Sequence, residues 1–308
     1  MRVVHLCIDF GGTDIKLGLL DAGTPRATAV VPVLGTRTDL DRAAEAADAL
    51  IAGERDAPSA VGIAVPGVVE RRTGRMLHAN AKYDFLSASG LDIRAWARTR
   101  FSLPAVVEND ARAALAGEMA WGAAAGEQDV VMITLGTGIG TAAAMGGLLL
   151  RGAHDHAGIV GGHVTVDVHA GSCPCGNVGC AELLASTRAL RTSRPELGDI
   201  ETLIASSRTD AASAELLAEY LRVWGATVVT LCHMYDPELI VLSGGVLRAG
   251  AAIAHPLREY VHAHLWASAH RPRFAVSKDP ALSVLRGLDA LAGRAHDSIP
   301  RTPEEASR

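Results

Sequence analysis

Lysine, aromatic residues and long apolar runs are all scarce in this chain of 308 residues. Only Lys16, Lys82 and Lys278 are lysines, aromatic residues make up 4% of the chain, and the formal net charge is −5. A general nucleic-acid binder needs a basic surface, so this charge balance argues against a nucleic-acid partner. No apolar run approaches the ~20 residues of a membrane-spanning helix, so we also expect no membrane partner.

Cysteine is scarce as well, with five residues in the whole chain. Three of them fall within eight positions, whereas Cys7 and Cys232 stand alone, which is typical of a reducing compartment rather than a disulfide framework. The N-terminal residues lead directly into a predicted strand and lack the layout of a signal peptide. We therefore expect a cytoplasmic protein. The length and a hydrophobic content of 49% predict about two folded domains.

The clustered cysteines predict a structural zinc site. Cys173, Cys175 and Cys180 follow His163 within a short segment, and thiolate sulfur and imidazole nitrogen are the ligands that tetrahedral zinc prefers. Glycines between the last two cysteines allow the loop to fold back, so that the sulfurs converge. Four protein ligands leave no position for substrate. A disulfide or a redox Cys-x-Cys pair is the alternative, and neither accounts for both the third cysteine and the histidine. Glu182 follows two residues after the last ligand.

Two glycine-rich turns each stand between two predicted strands, one in each half of the chain. The first runs from Asp9 through Gly11 and Gly12 to Thr13, and the second spans residues 135–140. Glycine lets backbone N–H groups approach phosphate oxygens, a hydroxyl adds a donor, and a carboxylate can orient magnesium. An ordinary hairpin turn is the alternative for each. Their recurrence predicts a duplicated fold with one phosphate-binding turn in each half.

Polar residues at the end of a further predicted strand indicate a catalytic position. The sequence Glu108, Asn109, Asp110 lies between an apolar strand and a helix, which is where α/β proteins place their sites. Helix capping is the alternative for Asp110, although capping accounts for one residue and not for all three. Three further positions are candidates for the lining of a ligand pocket: Gly67 after a buried strand, Asn80 in a polar loop, and the Gly244–Gly245 pair after another strand.

Together these motifs resemble the ROK family (repressor, open reading frame, kinase), a group of glucokinase-like sugar kinases in the actin–hexokinase–Hsp70 superfamily. The resemblance covers nearly the whole chain. It is carried by the two glycine turns, the Glu108–Asp110 run, the His163 to Glu182 segment and the glycine pair after Ser243. The zinc segment is the most specific of these motifs.

The resemblance implies an α/β fold with two RNase H-like (actin-like ATPase) domains around a central cleft, where ATP and sugar meet. We expect the first domain at residues 1–112, completed by a C-terminal helix at 281–296. The second domain is expected at 113–280, carrying the structural zinc loop 163–182. Residues 297–308 are polar and are predicted to form a disordered tail.

The resemblance also implies roles for individual residues. Asp110 would be the general base, and the sugar would contact Gly67, Asn80, Asn109, Asp110, His163 and Glu182. Asp9 would place Mg2+, and the ATP phosphates would face Gly11, Gly12, Thr13, Thr137 and Gly138. Gly244 and Gly245 would lie near the adenosine. Lys16 could add positive charge near the phosphates, with a solvent-facing strand residue as the alternative. The expected reaction is phosphorylation of a sugar hydroxyl, the 6-hydroxyl of a hexose or hexose derivative, by a homodimer.

One segment departs from the family pattern. Family sugar kinases carry Ala-Gly-Glu-Leu/Ile-Gly-His before the zinc, and that glutamate binds sugar hydroxyls. This chain has an extra residue and no acid between Ala157 and His163. The contact is expected to be missing or to come from another residue such as His154 or His156.

Three functional classes remain in comparison. The first is an ATP-dependent sugar kinase, and the second is a noncatalytic sugar-binding sensor or regulator of the same family. Family repressors carry a DNA-binding region ahead of the first glycine turn, and here Asp9 comes almost at the start. The third, a zinc hydrolase, conflicts with a metal that has four protein ligands.

Overall fold

A computed structural model describes residues 3–79 and 81–297. Asn80 and residues 298–308, which include most of the predicted tail, lie outside the described residues. In the described part of the first half, the elements are β1 (His5–Phe10), β2 (Asp14–Asp21), β3 (Thr24–Pro32), α1 (Thr38–Ala52), β4 (Ala60–Val65), β5 (Gly67–Val69), β6 (Met76–Ala79), α2 (Asp84–Ala88), α3 (Ile93–Phe101), β7 (Ala105–Asn109) and α4 (Asp110–Trp121).

The second half continues with β8 (Val130–Leu135), β9 (Ile139–Met145), β10 (Leu148–Leu149), α5 (Ala181–Ala185), α6 (Thr187–Ser193), α7 (Ile200–Ser206), α8 (Ala211–Tyr235), β11 (Leu239–Ser243), α9 (Ala251–His264), β12 (Arg273–Val276) and α10 (Pro280–Asp297). The chain divides into two compact units. Of the described residues, the first unit holds those up to Gly122, the short segment Ala153–Asp155 and those from Ala281 to Asp297. The second unit holds Ala123–Gly152 and His156–Pro280.

The first unit is built on a five-stranded sheet in the order β3-β2-β1-β4-β7. β1 and β2, and β2 and β3, run antiparallel, whereas β1, β4 and β7 run parallel to one another. Every residue of β1 and of β4 is buried, as expected for central strands that are covered on both faces. The parallel strands point their carboxyl ends at the same edge of the sheet, which brings Asp9 and Asn109 to that edge.

The second unit repeats this topology with the order β10-β9-β8-β11-β12. β8 and β9 are antiparallel, and β8, β11 and β12 are parallel. The long helix α8 packs on this sheet through Trp224, Val228 and Leu231, which are at most 2% exposed. The two matching sheets confirm the predicted α/β fold with two RNase H-like units.

Helix α10 belongs to the first unit and packs closely against α4. A Cβ atom on Gly287 would lie 1.6 Å from the Ala113 carbonyl oxygen, and one on Gly117 would lie 2.1 Å from the Ser283 carbonyl oxygen. Only glycine permits this approach. The buried Asp289 carboxylate also binds the His5 ring and accepts the Gly23 N–H at 2.7 Å, which joins α10 to β1.

Within the described residues, none of the helices combines the length and the apolar character that crossing a membrane would require.

Candidate active site

The first glycine turn connects β1 to β2 and leaves open space in front of its backbone. A Cβ atom on Gly11 would lie 2.7 Å from the Asp14 carbonyl oxygen, so this position is tight. A Cβ atom on Gly12 would meet no heavy atom within 4 Å. Gly12 and Thr13 are both exposed, and the turn therefore offers backbone groups to a ligand as the sequence predicts for a phosphate-binding turn.

This difference makes a substitution at Gly12 informative. In Gly12→Ala the methyl group contacts no protein atom, so we expect the unfolding free energy to change by less than about 0.5 kcal/mol. The methyl group occupies the space that a phosphate would enter, and we expect ATP affinity to fall about tenfold or more, or ~1.4 kcal/mol. Gly53→Ala, at the end of α1 with ordinary contacts only, is the matched control. Unchanged nucleotide affinity in Gly12→Ala would contradict the assignment of this turn.

Asp9 lies at the end of β1 and is 5% exposed. The pKa of Asp9 is raised to about 7, mainly by burial and also by the nearby Asp110 carboxylate, while Lys16 opposes the shift. Lys16 stands opposite Asp9 in the β1–β2 register. A buried carboxylate beside a second carboxylate favours a divalent cation, which would neutralise both, so the Asp9 environment fits the predicted magnesium role.

Asn109 and Asp110 form the junction of β7 and α4. Asn109 is the N-cap of α4, and its side-chain oxygen accepts the Arg112 N–H at 3.1 Å. The Asn109 amide nitrogen donates at 2.9 Å to the Gly67 carbonyl and to Asp110 Oδ1. The cap is thus Asn109, not Asp110, which removes the capping alternative for Asp110. Gly67 has φ of +148°, and a Cβ there would lie 2.1 Å from the His78 carbonyl oxygen.

The Asp110 carboxyl group is held on one oxygen and left available on the other. Oδ1 accepts from the Ala111 N–H at 2.8 Å and from Asn109, whereas Oδ2 accepts no bond from the described residues. Asp110 as a residue is partly exposed, but burial of its carboxyl group raises the pKa of Asp110 to about 6. A carboxyl group with a pKa near neutrality and one free oxygen has the properties of a general base.

A buried ion pair beneath this junction was not identified as part of the site from the sequence. The Arg112 side chain is fully buried, and its Nη1 lies 3.2 Å from Glu108 Oε1. Glu108 also accepts the Asn109 N–H at 2.9 Å, and Arg112 donates to the carbonyl of Asp155. Asp155 in turn accepts the Arg71 N–H at 3.0 Å. These bonds fix the backbone on both sides of Asn109. Glu108 lies in β7 and Arg112 in α4, so the i,i+4 rule for neighbours on one helix does not apply, and no local sequence signal marks this pair.

The second glycine turn connects β8 to β9 in the second unit and is bonded to α5 and α6. Glu182 Oε2 accepts the Ile139 N–H at 2.9 Å, and a Cβ on Gly138 would lie 2.4 Å from the same oxygen. Arg188 Nη1 lies 3.7 Å from Glu182 Oε1, and the Arg188 N–H donates to the Thr137 carbonyl at 3.2 Å. The structure thus brings Glu182, predicted as a sugar contact, against the predicted phosphate turn.

The predicted zinc ligands converge in the second unit. The ligand atoms of His163, Cys173, Cys175 and Cys180 all lie within 4.8 Å of one another. Cys173 Sγ is 3.8 Å from His163 Nδ1, and Cys175 Sγ is 3.6 Å from Cys180 Sγ. A tetrahedral zinc site with ~2.3 Å Zn–S bonds has sulfurs about 3.8 Å apart, so the donor set fits zinc. A disulfide needs an S–S distance of about 2.05 Å, and all five cysteines are free.

The loop between these ligands depends on glycine as the sequence suggests. Gly176 and Gly179 have φ of +93° and +60°. A Cβ on Gly179 would lie 1.6 Å from the Asp167 carbonyl oxygen. The Asn177 side chain donates to the His163 carbonyl at 2.9 Å, which ties the loop to the histidine.

The segment that lacks the family's acid packs on β9. Gly161 accepts no side chain without conflict, because a Cβ there would lie 2.7 Å from Thr141 Oγ1, and one on Gly162 would lie 2.1 Å from the Ile139 carbonyl oxygen. Thr141 Oγ1 donates to the Gly158 carbonyl at 2.8 Å and accepts the Gly161 N–H at 2.9 Å. Val160 is 44% exposed and offers no polar group.

The remaining predicted positions are the Gly244–Gly245 pair and Asn80. Gly244 has φ of +98°, and a Cβ there would lie 2.2 Å from the Leu135 carbonyl oxygen, so packing alone requires glycine. Gly245 begins a 3-10 turn, Gly245–Ala249. An adenosine contact at this pair stays a prediction. Asn80, predicted to contact sugar, is outside the described residues.

Comparisons with known proteins agree with this geometry. The family model described as "ROK family" matches residues 5–294. The chain is 29% identical over 289 residues to a glucokinase of Halalkalibacterium halodurans, covering 84% of this chain and 86% of the relative. It is 24% identical to a xylose repressor of Bacillus spizizenii, covering 67% of this chain and 53% of the repressor.

A solved structure extends the likeness to three dimensions. The structure of a ROK family glucokinase from Streptomyces griseus, in complex with glucose and AMPPNP, superposes with a TM-score of 0.75 at 28% identity. The match covers 94% of this chain and 99% of that one. The family model spans almost the whole chain, and both sheets and all the motifs fall within it. The chain belongs to the ROK family.

Proposed function

We propose that this chain transfers the γ-phosphoryl group of ATP to the 6-hydroxyl of a hexose or hexose derivative, with Asp110 as the general base. The broader class, an ATP-dependent sugar kinase, follows from the family and its glucokinase members. The observation that carries the proposal is the Asp110 carboxyl group, with a pKa of about 6 and an oxygen, Oδ2, that accepts no hydrogen bond from the described residues. It lies in the same unit as the open glycine turn.

In the proposed step the sugar hydroxyl oxygen attacks the γ-phosphorus while the bond to the β–γ bridging oxygen breaks. The hydroxyl proton passes to Asp110 Oδ2, and ADP leaves with the bonding electrons. Phosphoryl transfer requires mainly in-line positioning and stabilisation of charge on the transferred oxygens. Asn109 supports the positioning, because it fixes Oδ1 of Asp110 and leaves Oδ2 for the proton.

The binding roles follow the same pattern. Asp9 would hold Mg2+, which neutralises phosphate charge when bound. Gly11, Gly12, Thr13 and Lys16 would face the phosphates from the first unit, and Thr137 and Gly138 from the second. Gly244 and Gly245 would lie near the adenosine. Zinc would be structural, bound by His163 through Nδ1 and by the three cysteines, with the opposite edge of the His163 ring left for the sugar. A homodimer is part of the proposal by family likeness.

The sugar pocket would include Gly67, Asn80, Asn109, His163 and Glu182. In this structure both N–H groups of the Asn109 amide donate to protein acceptors, and its oxygen accepts the Arg112 N–H, so a sugar hydroxyl would donate to the second lone pair of that oxygen. His154 and His156 are both exposed; His154 belongs to the first unit and His156 to the second. Val160 lies in the segment where family kinases carry a sugar-binding glutamate, and its side chain cannot bond a hydroxyl. The sugar preference is therefore expected to differ from that of the family glucokinases, and a sugar screen measures it.

A noncatalytic sugar sensor is the second candidate, favoured by the xylose repressor relative and by the missing acid. A coupled ADP-release assay across hexoses, amino sugars and ketoses separates the two candidates. We expect ATP-dependent turnover of at least one hexose in the wild type and its near loss in Asp110→Asn. Saturable sugar binding without ADP release on any sugar would instead support the sensor.

The pH dependence of the reaction provides an independent check. A general base works in its deprotonated form, so kcat/KM should rise about tenfold per pH unit below the Asp110 pKa of about 6 and level off above it. Stability should move in the opposite direction. The folded pKa exceeds the ordinary value of 3.8, so ionisation disfavours the folded state, with no penalty below pH 4 and the full penalty above the folded pKa. The kcat/KM profile is measured at saturating Mg2+ from pH 5 to 8. A flat profile would count against Asp110 as the base.

A further inference from the structure

The segment that follows β6 donates hydrogen bonds to two carbonyl groups of the first glycine turn. This segment is a short 3-10 turn, Ala81–Tyr83. The Tyr83 hydroxyl donates to the Gly11 carbonyl at 2.8 Å, and Lys82 Nζ donates to the Gly12 carbonyl at 2.6 Å. This segment directly follows Asn80, a predicted sugar contact, and it is bonded to the predicted phosphate turn.

These two bonds determine where the backbone N–H groups of the turn point. In a trans peptide the C=O and the following N–H point in opposite directions. Because the Gly11 and Gly12 carbonyls face the 81–83 segment, the N–H groups of Gly12 and Thr13 face away from it. Among the described residues these two N–H groups donate to no protein acceptor. The segment thus presents two free donors to the open space in front of Gly12.

Tyr83 and Lys82 differ in how firmly they are held. Tyr83 is 0% exposed and packs edge-to-face on Phe10, with ring centroids 6.0 Å apart. Burial also raises the pKa of Tyr83, so its hydroxyl remains a donor at neutral pH. Lys82 is exposed on a flexible stem, and its ammonium has three donors. A bond from an ammonium to a neutral carbonyl is weaker than one to an anionic phosphate oxygen, so a phosphate would compete well for the donor that now binds the Gly12 carbonyl.

The site has an excess of negative charge that the Lys82 ammonium would partly neutralise. Asp9 and Asp110 are both acidic, and a nucleotide triphosphate adds several negative charges. Arg112 is buried against Glu108, and Lys16 already stands opposite Asp9. Of the three lysines in the chain, Lys82 is the one whose Nζ lies at the open turn.

We propose that Lys82 is a phosphate-binding residue that contacts the terminal phosphate of the bound nucleotide, and that Tyr83 is a positioning residue that fixes the turn. The inference rests on the proposed kinase function. In this proposal Lys82 binds the terminal phosphate, and Tyr83 orients the backbone N–H groups of the turn.

The test compares equilibrium binding of Mg-AMPPNP and Mg-ADP, measured by calorimetry, in Lys82→Met and in the wild type. We expect affinity for AMPPNP to fall about tenfold and affinity for ADP to change less than about twofold, because ADP lacks the terminal phosphate. Lys82→Arg should restore part of the AMPPNP affinity. Tyr83→Phe should weaken both nucleotides, because it loosens the turn itself. Lys278→Met, at an exposed position in the second unit, is the matched control and should change neither.

The thermal midpoint of Lys82→Met should equal that of the wild type, so a general loss of structure can be separated from a loss of charge. Equal losses for AMPPNP and ADP, or no loss at all, would overturn the proposal, as would a wild type that binds no nucleotide. If Lys82→Met loses affinity for AMPPNP but not for ADP, and the wild type turns over no sugar, the result would support the role of Lys82 and count against the kinase function.

Discussion

Replacing Asp110 by asparagine is expected to lower kcat by ~10²–10⁴, the usual contribution of a general base. The amide keeps the shape of the side chain and can still accept the Ala111 N–H, so the β7–α4 junction should persist. It cannot accept the hydroxyl proton at neutral pH. We therefore expect the affinity for Mg-AMPPNP to remain within about twofold of the wild type, and the loss to appear in kcat rather than in nucleotide binding. Single-turnover kinetics with the preferred sugar measures the effect directly.

Asp56→Asn is the matched control, because Asp56 is an exposed carboxylate of the same unit that pairs only with Arg26 among the described residues. Its kcat should equal that of the wild type. If Asp110→Asn retains wild-type turnover, Asp110 is not the base and the proposed step is wrong. If it loses turnover and nucleotide affinity together with its thermal midpoint, the residue supports the fold rather than the chemistry.

Replacing Cys180 by alanine is expected to have the largest effect on stability. Cys180 is 0% exposed, its sulfur lies 3.6 Å from that of Cys175, and α5 begins at the next residue. Metal binding and folding are coupled in sites of this kind. We expect the variant to lose its zinc, to lose about 4 kcal/mol or more of unfolding free energy, and to melt about 10 °C lower. Elemental analysis of the purified protein and calorimetric melting measure the two effects.

The same variant tests the link between the metal loop and the second glycine turn. Glu182 lies two residues after Cys180 and bonds the Ile139 N–H, so movement of α5 should also weaken ATP binding. Cys232→Ala is the matched control: Cys232 is 6% exposed in the core and outside the metal cluster, so it should keep the zinc and melt close to the wild type. A wild type without bound metal, or a Cys180→Ala protein that retains metal and stability, would show that the cluster is not a structural zinc site.

Much of the fold could be predicted from local patterns. The strands on both sides of each glycine turn, and the recurrence of this strand–turn–strand unit in the second half, are expected from the sequence and present in the structure. These features are local, because a strand or helix is encoded by residues a few positions apart. The hairpin of β5 and β6 was not predicted, since its strands have only 3 and 4 residues and carry little periodicity.

The candidate site divides in the same way. The ligand types at His163 and the three cysteines, and the glycines in both turns, follow from the chemistry of the residues themselves. The Glu108–Arg112 pair, the capping by Asn109 and the bond from Glu182 to Ile139 depend on packing. Glu182 was expected at the sugar, and only the fold shows that it also supports the turn at Gly138.

The sequence by itself determined the family, the duplicated α/β fold, the metal donor set and the identity of Asp110 as the candidate base, because each rests on residue chemistry at short spacing. Tertiary structure alone decided which distant groups serve that base and the phosphate turn. Lys82 and Gly12 are 70 positions apart, and so no local pattern could connect them. Their contact exists because the folded chain brings the segment after β6 against the end of β1.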